Sequence, residues 1–201
     1  MALDPELEEI YRKNVKALMD NISQIKVEFE KKNTLAQSVE LATEEKQNAY
    51  TLGYQFYQQQ KYDKALIIFN ALHLLDPLNK EFAKAQAATM QMQGKFDDAA
   101  LNFLITYFFH TECLEFALYA GRCMVEAKEF TQAYFILKNI LAERRFPNSD
   151  ENKKSEAIIR ELVPSLLRRA EEEQSSRSGG RSPSADQDIK TGAPVTAGTK
   201  S

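Results

Sequence analysis

The sequence predicts an all-α fold: three tandem helical hairpins stacked into a curved superhelix, preceded by an N-terminal helical region and closed by a C-terminal capping helix. Three observations predict it. The stretch Lys61-Tyr62-Asp63-Lys64-Ala65-Leu66-Ile67-Ile68-Phe69 recurs at Lys95–Phe103 and at Glu129–Leu137, a step of 34 residues (61 to 95 to 129), with the aromatic, the alanine and the large apolar residue in register. Gly53, Ala87 and Gly121 keep the same step. Neither glycine nor proline occurs between Pro5 and Gly53, and four of the seven glycines lie beyond residue 178, which fits a helical body with an irregular end.

A 34-residue period with a small residue early and aromatic-x-x-Ala-x-x-x-large later is the pattern of the tetratricopeptide repeat, a helix–turn–helix unit. Residues 1–42 form the N-terminal helical region. Asp4 as N-cap, Pro5 at the first helical position and Glu6, Glu8 and Glu9 suit a helix start. Tyr11, Val15, Leu18, Ile22, Ile25 and Phe29 then follow at alternating spacings of four and three, an a/d seam. A stripe this narrow must be covered: either it packs on the repeat body or it pairs with a second copy as a dimerisation arm. Residues 33–42 connect it to the repeats.

Thr43-Glu44-Glu45 opens the repeat body, residues 43–147, divided as 46–79, 80–113 and 114–147. The residues expected to pack inside the first hairpin are Leu52, Gly53, Phe56, Ala65, Phe69 and Pro77. In the second they are Ala87, Met90, Gly94, Phe96, Ala99 and Phe103, with Thr111 in place of the closing proline. In the third they are Ala120, Gly121, Met124, Phe130, Ala133 and Leu137, ending near Pro147-Asn148-Ser149-Asp150. The small residues stand where two helices cross closely. No hairpin buries its apolar faces alone, so the copies stack and need a cap. The capping helix, within 148–173, offers Ile158, Ile159, Leu162, Leu166 and Leu167, with a kink expected at Pro164. From Gln174 to residue 201 the composition turns to Ser, Gly, Arg, Pro, Thr and Ala, which predicts disorder.

Composition excludes several function classes. A net charge of -3 gives no basic excess for nucleic acid or an anionic membrane surface. The longest apolar run, Phe103 to Phe109, is interrupted by Thr106 and is far short of the roughly 18 residues a membrane span needs. The first residues lack a signal-peptide layout, so a soluble cytoplasmic protein is expected. Cys113 and Cys123 fit no metal or redox spacing and read as small apolar residues of a reducing compartment. His73 and His110 stand at unrelated repeat positions, and no phosphate loop, zinc motif or nucleophile elbow occurs. Catalysis and a cofactor are not expected.

The first helix of each repeat lines the inner face of such a stack. In the first repeat its groove positions hold Gln47, Tyr50, Tyr54, Tyr57 and Gln58, three tyrosines in one helical stripe, with Tyr62 and Leu75 able to border it. The second repeat places Glu81, Lys84, Ala88, Gln91 and Met92 there, and the third Glu115, Leu118, Arg122, Val125 and Glu126. The tyrosines fit a groove of apolar bodies with polar tips, suited to an extended or partly helical peptide. Alternatively they pack on the N-terminal helix or flank the next repeat. A clamp for a C-terminal carboxylate finds only Lys84 and Arg122 as cations.

The run Ala49-Tyr50-Thr51-Leu52-Gly53-Tyr54-Gln55-Phe56-Tyr57, continued by Lys61-Tyr62-Asp63-Lys64-Ala65 and Phe69-Asn70-Ala71-Leu72-His73-Leu74-Leu75-Asp76, closely resembles the class II chaperones of bacterial type III secretion, the LcrH/SycD family. So does Phe116-Ala117-Leu118-Tyr119-Ala120-Gly121-Arg122-Cys123. The resemblance covers about residues 34 to 145. It implies a cytoplasmic chaperone that keeps hydrophobic translocators from aggregating or associating before secretion. It also implies a concave groove with small apolar anchor pockets, at positions matching Tyr50, Tyr54, Tyr57, Tyr62 and Leu75, and dimerisation through N-terminal helices. The long N-terminal seam and the tail after Gln174 depart from that pattern. A non-catalytic scaffold or adaptor for complex assembly is the competing reading.

Overall fold

The computed structural model describes residues 43–144 and 146–179, together with helical residues 5, 6, 9, 10, 12, 13, 16 and 17. The seam Tyr11, Val15, Leu18, Ile22, Ile25 and Phe29, the connector 33–42 and the chain beyond Gly179 lie outside the described residues. From Thr43 the described chain folds into seven helices: α1 Thr43–Gln58, α2 Tyr62–Leu75, α3 Lys80–Met92, α4 Phe96–Phe109, α5 Glu115–Glu126, α6 Phe130–Glu143 and α7 Asp150–Gly179. No strand occurs among the described residues. α1 packs on α2, α3 on α4 and α5 on α6; α2 meets α3 and α4 meets α5, so the hairpins stack in chain order, and α7 closes against α6 and α5.

Each hairpin turns in the same way. Gln60, Gly94 and Lys128, again 34 apart, all have positive φ, at 59°, 75° and 64°. The backbone N–H of Lys61 donates to Phe56 C=O at 2.9 Å, that of Lys95 to Met90 C=O at 3.0 Å and that of Glu129 to Met124 C=O at 2.9 Å. This left-handed closure satisfies carbonyls that a helix end leaves open. Gly94, expected inside the second hairpin, is instead the exposed turn residue. A side chain at such φ costs on the order of 1 kcal/mol, so Lys128→Gly is expected to raise stability by about 0.5–1 kcal/mol. A shifted urea midpoint checks this; an unchanged or lower midpoint contradicts it.

The interior follows the repeat. Ala65, Ala99, Ala133 and Leu137 are fully buried, and Phe69 and Phe103 are nearly so. Repeats two and three and α7 share one core, and a smaller cluster of Ala65, Phe69, Leu72 and Phe82 joins repeat one to α3. Leu52 departs from expectation: it is 47% exposed. Its equivalents explain why. Gln86 donates from Nε2 to Asn70 Oδ1 of α2 at 2.8 Å, and Ala120 is fully buried. This repeat position therefore faces the preceding hairpin, and repeat one has no described hairpin before it. Phe56, Pro77, Met90, Phe96 and Phe130 are half-buried rather than interior. Lys64 covers the Phe56 ring at 5.7 Å, and Arg169 of α7 covers Phe130 at 5.1 Å.

Helix α7 buries Ile159, Leu166 and Ala170 completely, with Leu162 and Leu167 packed beside them, whereas Ile158 is 40% exposed. Ile158 directly precedes Ile159 on the helix, so both cannot share the buried face. The helix continues through Pro164 and past residue 173 to Gly179. Ser175 and Ser176 hydroxyls donate to the carbonyls of Glu171 and Glu172, both at 2.9 Å, and so sit within the helix despite their composition.

The joint between α7 and the third repeat rests on Asn152, which is 3% exposed. Its Oδ1 accepts from Leu114 N–H at 2.9 Å, and its Nδ2 donates to Glu112 C=O at 2.8 Å and Pro147 C=O at 3.0 Å. Ser149 Oγ accepts from Asn152 N–H at 3.2 Å as the cap of α7. Asn152→Ala strands these backbone groups and is expected to cost about 2–3 kcal/mol. Thermal unfolding measures it, with Asn152→Asp, which keeps the acceptor, falling between.

Candidate functional site

The inner face of α1, α3 and α5 carries the predicted groove positions, and the structure divides them into three kinds. Tyr50 is half-buried, its ring 5.6 Å from Phe69 and 5.8 Å from Phe82. It thus flanks the next repeat, as one of the sequence readings allowed, and belongs to the packing. Burial, then the nearby Glu81 carboxylate, pushes its hydroxyl pKa up.

The second kind is an open aromatic surface. Tyr54, 49% exposed, stacks on Tyr57 with centroids 6.3 Å apart and planes at 10°. Tyr57 meets Tyr62 edge-on at 5.5 Å. Three rings from α1 and the start of α2 therefore form one continuous surface, and the only equivalents of Tyr54 and Tyr57 in later repeats are Ala88, Gln91, Arg122 and Val125. Ala88, Gln91 and Val125 are half-buried and Arg122 is exposed. Leu75 is half-buried at the end of α2.

The third kind is electrostatic. Lys84 of α3 donates from Nζ to Glu115 Oε1 of α5 at 3.1 Å. Its ammonium lies 5.6 Å over the Tyr119 ring, and Tyr119 Oη donates to Glu115 Oε2 at 3.4 Å. Partial burial opposes the charge on Lys84, but the hydrogen bond and carboxylate of Glu115 outweigh it and the pKa is raised. Lys84 is thus already neutralised, and a ligand carboxylate meets Arg122 alone of the two cations the sequence offered. Sequence reasoning missed Tyr119, whose ring rests 5.3 Å from Phe103; it stands outside the groove positions, and only the approach of α3 and α4 brings it in. Leu118 needs correction: it is 4% exposed and belongs to the core. Position five of the third repeat falls inside the core that repeats two and three share with α7, which leaves no open surface there.

Nothing else among the described residues gathers chemistry. No group of metal-binding side chains is present among them. His73 lies in α2, its pKa lowered chiefly by burial, and His110 ends α4 with Nδ1 3.3 Å from Glu112. Cys113 and Cys123 are free thiols, and burial pushes the fully buried Cys123 up to about 11. No described helix is long and apolar enough to cross a membrane.

Comparison with known proteins extends this picture. A tetratricopeptide-repeat family model matches residues 49–77, the first hairpin. Low calcium response locus protein H of Yersinia pestis is 25% identical over 114 residues, spanning 55% of this chain and 68% of that protein. The structure of the type III secretion translocator chaperone SycD of Yersinia enterocolitica superposes with a TM-score of 0.57 at 22% identity, covering 67% of this chain and 98% of SycD. SycD in complex with a peptide of the translocator YopD matches with a TM-score of 0.53 at 22% identity, over 62% of this chain and 94% of that one. With a shared array of hairpins and a sequence relative aligned over 68% of its own length, this chain has the fold of these chaperones and is similar in sequence to low calcium response locus protein H.

Proposed function

We propose that the chain is a cytoplasmic, non-catalytic bacterial chaperone that holds an extended segment of a hydrophobic secreted translocator against the inner face of α1, α3 and α5. The observation that carries this reading is the surface of Tyr54, Tyr57 and Tyr62, aromatic bodies with polar tips left accessible by a hairpin that does not need them all for its core. A relative of the same fold was solved with a translocator peptide, which supports the same use of the groove here. A client with membrane-inserting segments would aggregate in water, and holding one segment of it keeps it apart from its partners. Release for export requires moderate affinity, about -8 to -12 kcal/mol. The groove comprises Tyr50, Tyr54, Tyr57, Tyr62, Leu75, Lys84, Ala88, Gln91, Arg122 and Val125. A homodimer through the seam Tyr11 to Phe29 is part of the proposal.

Tyr50 is a poor probe, because its loss also opens the contact with Phe69 and Phe82. Tyr54→Ala combined with Ala88→Glu is expected to abolish co-purification of the client from the native cell while the melting temperature shifts by less than about 4 °C, under 1 kcal/mol for a domain of this size. Full retention of the client refutes the groove.

A second reading has its own observation. Ile67 and Leu74 on α2 are 69% and 64% exposed, with exposed Ala71 between them on the same stripe. An adaptor would use such a face. If Ile67→Glu with Leu74→Glu strips all partners while the groove variant keeps them, the adaptor reading replaces the chaperone.

A further inference from the structure

At the first-repeat end of the groove, between the start of α1 and the α2–α3 loop, lies a cavity of about 350 Å³. Tyr50 and Phe82 supply aromatic rings to it, 5.8 Å apart. Its polar lining includes Lys46, Asp76 and Glu81. Lys46 and Asp76 are paired at 3.7 Å, whereas Glu81 makes no ion pair within 4 Å among the described residues; Lys84, near enough to feel its charge, is bonded to Glu115 instead. Farther along the groove the next carboxylate, Glu115, is already matched by Lys84. The recess therefore carries a carboxylate without an ion-pair partner beside two aromatic rings.

Resting on the groove reading, we propose that this cavity receives a lysine or arginine side chain of the bound segment, its aliphatic stem against Tyr50 and Phe82 and its cationic head at Glu81. The chemistry is complementary at both ends. A long cationic side chain buries its methylenes on apolar surface while its head stays polar, aromatic faces attract a cation, and Glu81 supplies the counter-charge. An acidic side chain is repelled by Glu81 and finds Lys46 engaged. A purely aliphatic side chain fills the cavity but leaves the Glu81 carboxylate partly desolvated without a partner.

The test is selection from a library of dodecapeptides, acetylated and amidated so that no terminal charge competes, on the full-length chain and on Glu81→Gln. Glu81 is exposed, and an unchanged melting temperature verifies the fold of the variant. Lysine or arginine is expected to be enriched about fivefold at one position relative to the apolar anchors. Glu81→Gln is expected to erase that enrichment with the apolar preferences intact, and Glu81→Lys to favour aspartate or glutamate there. Selection for apolar residues only, or lysine enrichment that survives Glu81→Gln, overturns the assignment and leaves the groove standing. Failure to select any peptide overturns the groove itself, and the cavity's role with it.

Discussion

Gly121→Val is expected to lower the free energy of unfolding by about 2–3 kcal/mol. A Cβ at Gly121 would lie 2.6 Å from Leu137 Cδ1 and 3.3 Å from Leu137 Cγ. Leu137 is itself fully buried, so its side chain cannot swing into solvent. The added bulk must push α5 from α6 or force Leu137 off its rotamer. Gly121→Ala brings the same Cβ but gains up to about 1 kcal/mol of helix propensity, so its loss is smaller. Gly53 presents the same geometry, with Phe69 Cε1 at 2.7 Å. Its hairpin carries the smaller core cluster and has the exposed Leu52 on its outer side, so it can splay more easily and Gly53→Val is expected to cost less than Gly121→Val. Urea unfolding followed by circular dichroism ranks the three variants. Equal midpoints for Gly121→Val and the parent chain would mean that α5 and α6 do not cross as closely as the structure has them.

Ending the chain before Asp150 is expected to abolish cooperative unfolding. Helix α7 contributes Ile159, Leu166 and Ala170 to the core, all fully buried. The two large side chains alone account for about 3–6 kcal/mol of burial. The truncation also removes Asn152, which leaves Leu114 N–H and Glu112 C=O without their partner, and the Thr131 hydroxyl loses its bond to Glu173, 3.2 Å. Domains of this kind hold only about 5–15 kcal/mol in total, and the loss falls at the end of a stack where each unit is stabilised by its neighbour. The expected product is a chain with much of its helix signal, a broad thermal transition and rapid proteolysis between α5 and α6. A sharp transition within about 5 °C of the parent would show that the third repeat closes its own end.

Several site features were legible as residues but not as roles. Tyr50, Tyr54 and Tyr57 stand out from the repeat pattern, yet one tyrosine is largely a packing residue and another is open to solvent. Their difference depends on Phe82, which reaches Tyr50 from the next repeat. Lys84 and Glu115 occupy different positions in different repeats, and no period links them. Their 3.1 Å bond exists because the stacking of the second and third hairpins brings α3 and α5 within side-chain reach. Leu118 looked like a groove residue by register, and its burial reflects how deeply α5 enters the core.

What the sequence by itself determined is the repeating architecture. The 34-residue step of small and large residues dictates helix–turn–helix units, their crossing points at Gly53, Ala87 and Gly121, and the need for a closing helix, because these follow from contacts within one hairpin and are written into each copy. Only the tertiary structure decided which side of each helix is covered. Leu52 is exposed and Ala120 buried at the same repeat position, since Ala120 has a hairpin before it and Leu52 has none among the described residues. The left-handed turns at Gln60 and Lys128 and the buried Asn152 belong to the same class. They are set by how one helix closes on the next, where backbone groups demand partners whatever side chain stands there.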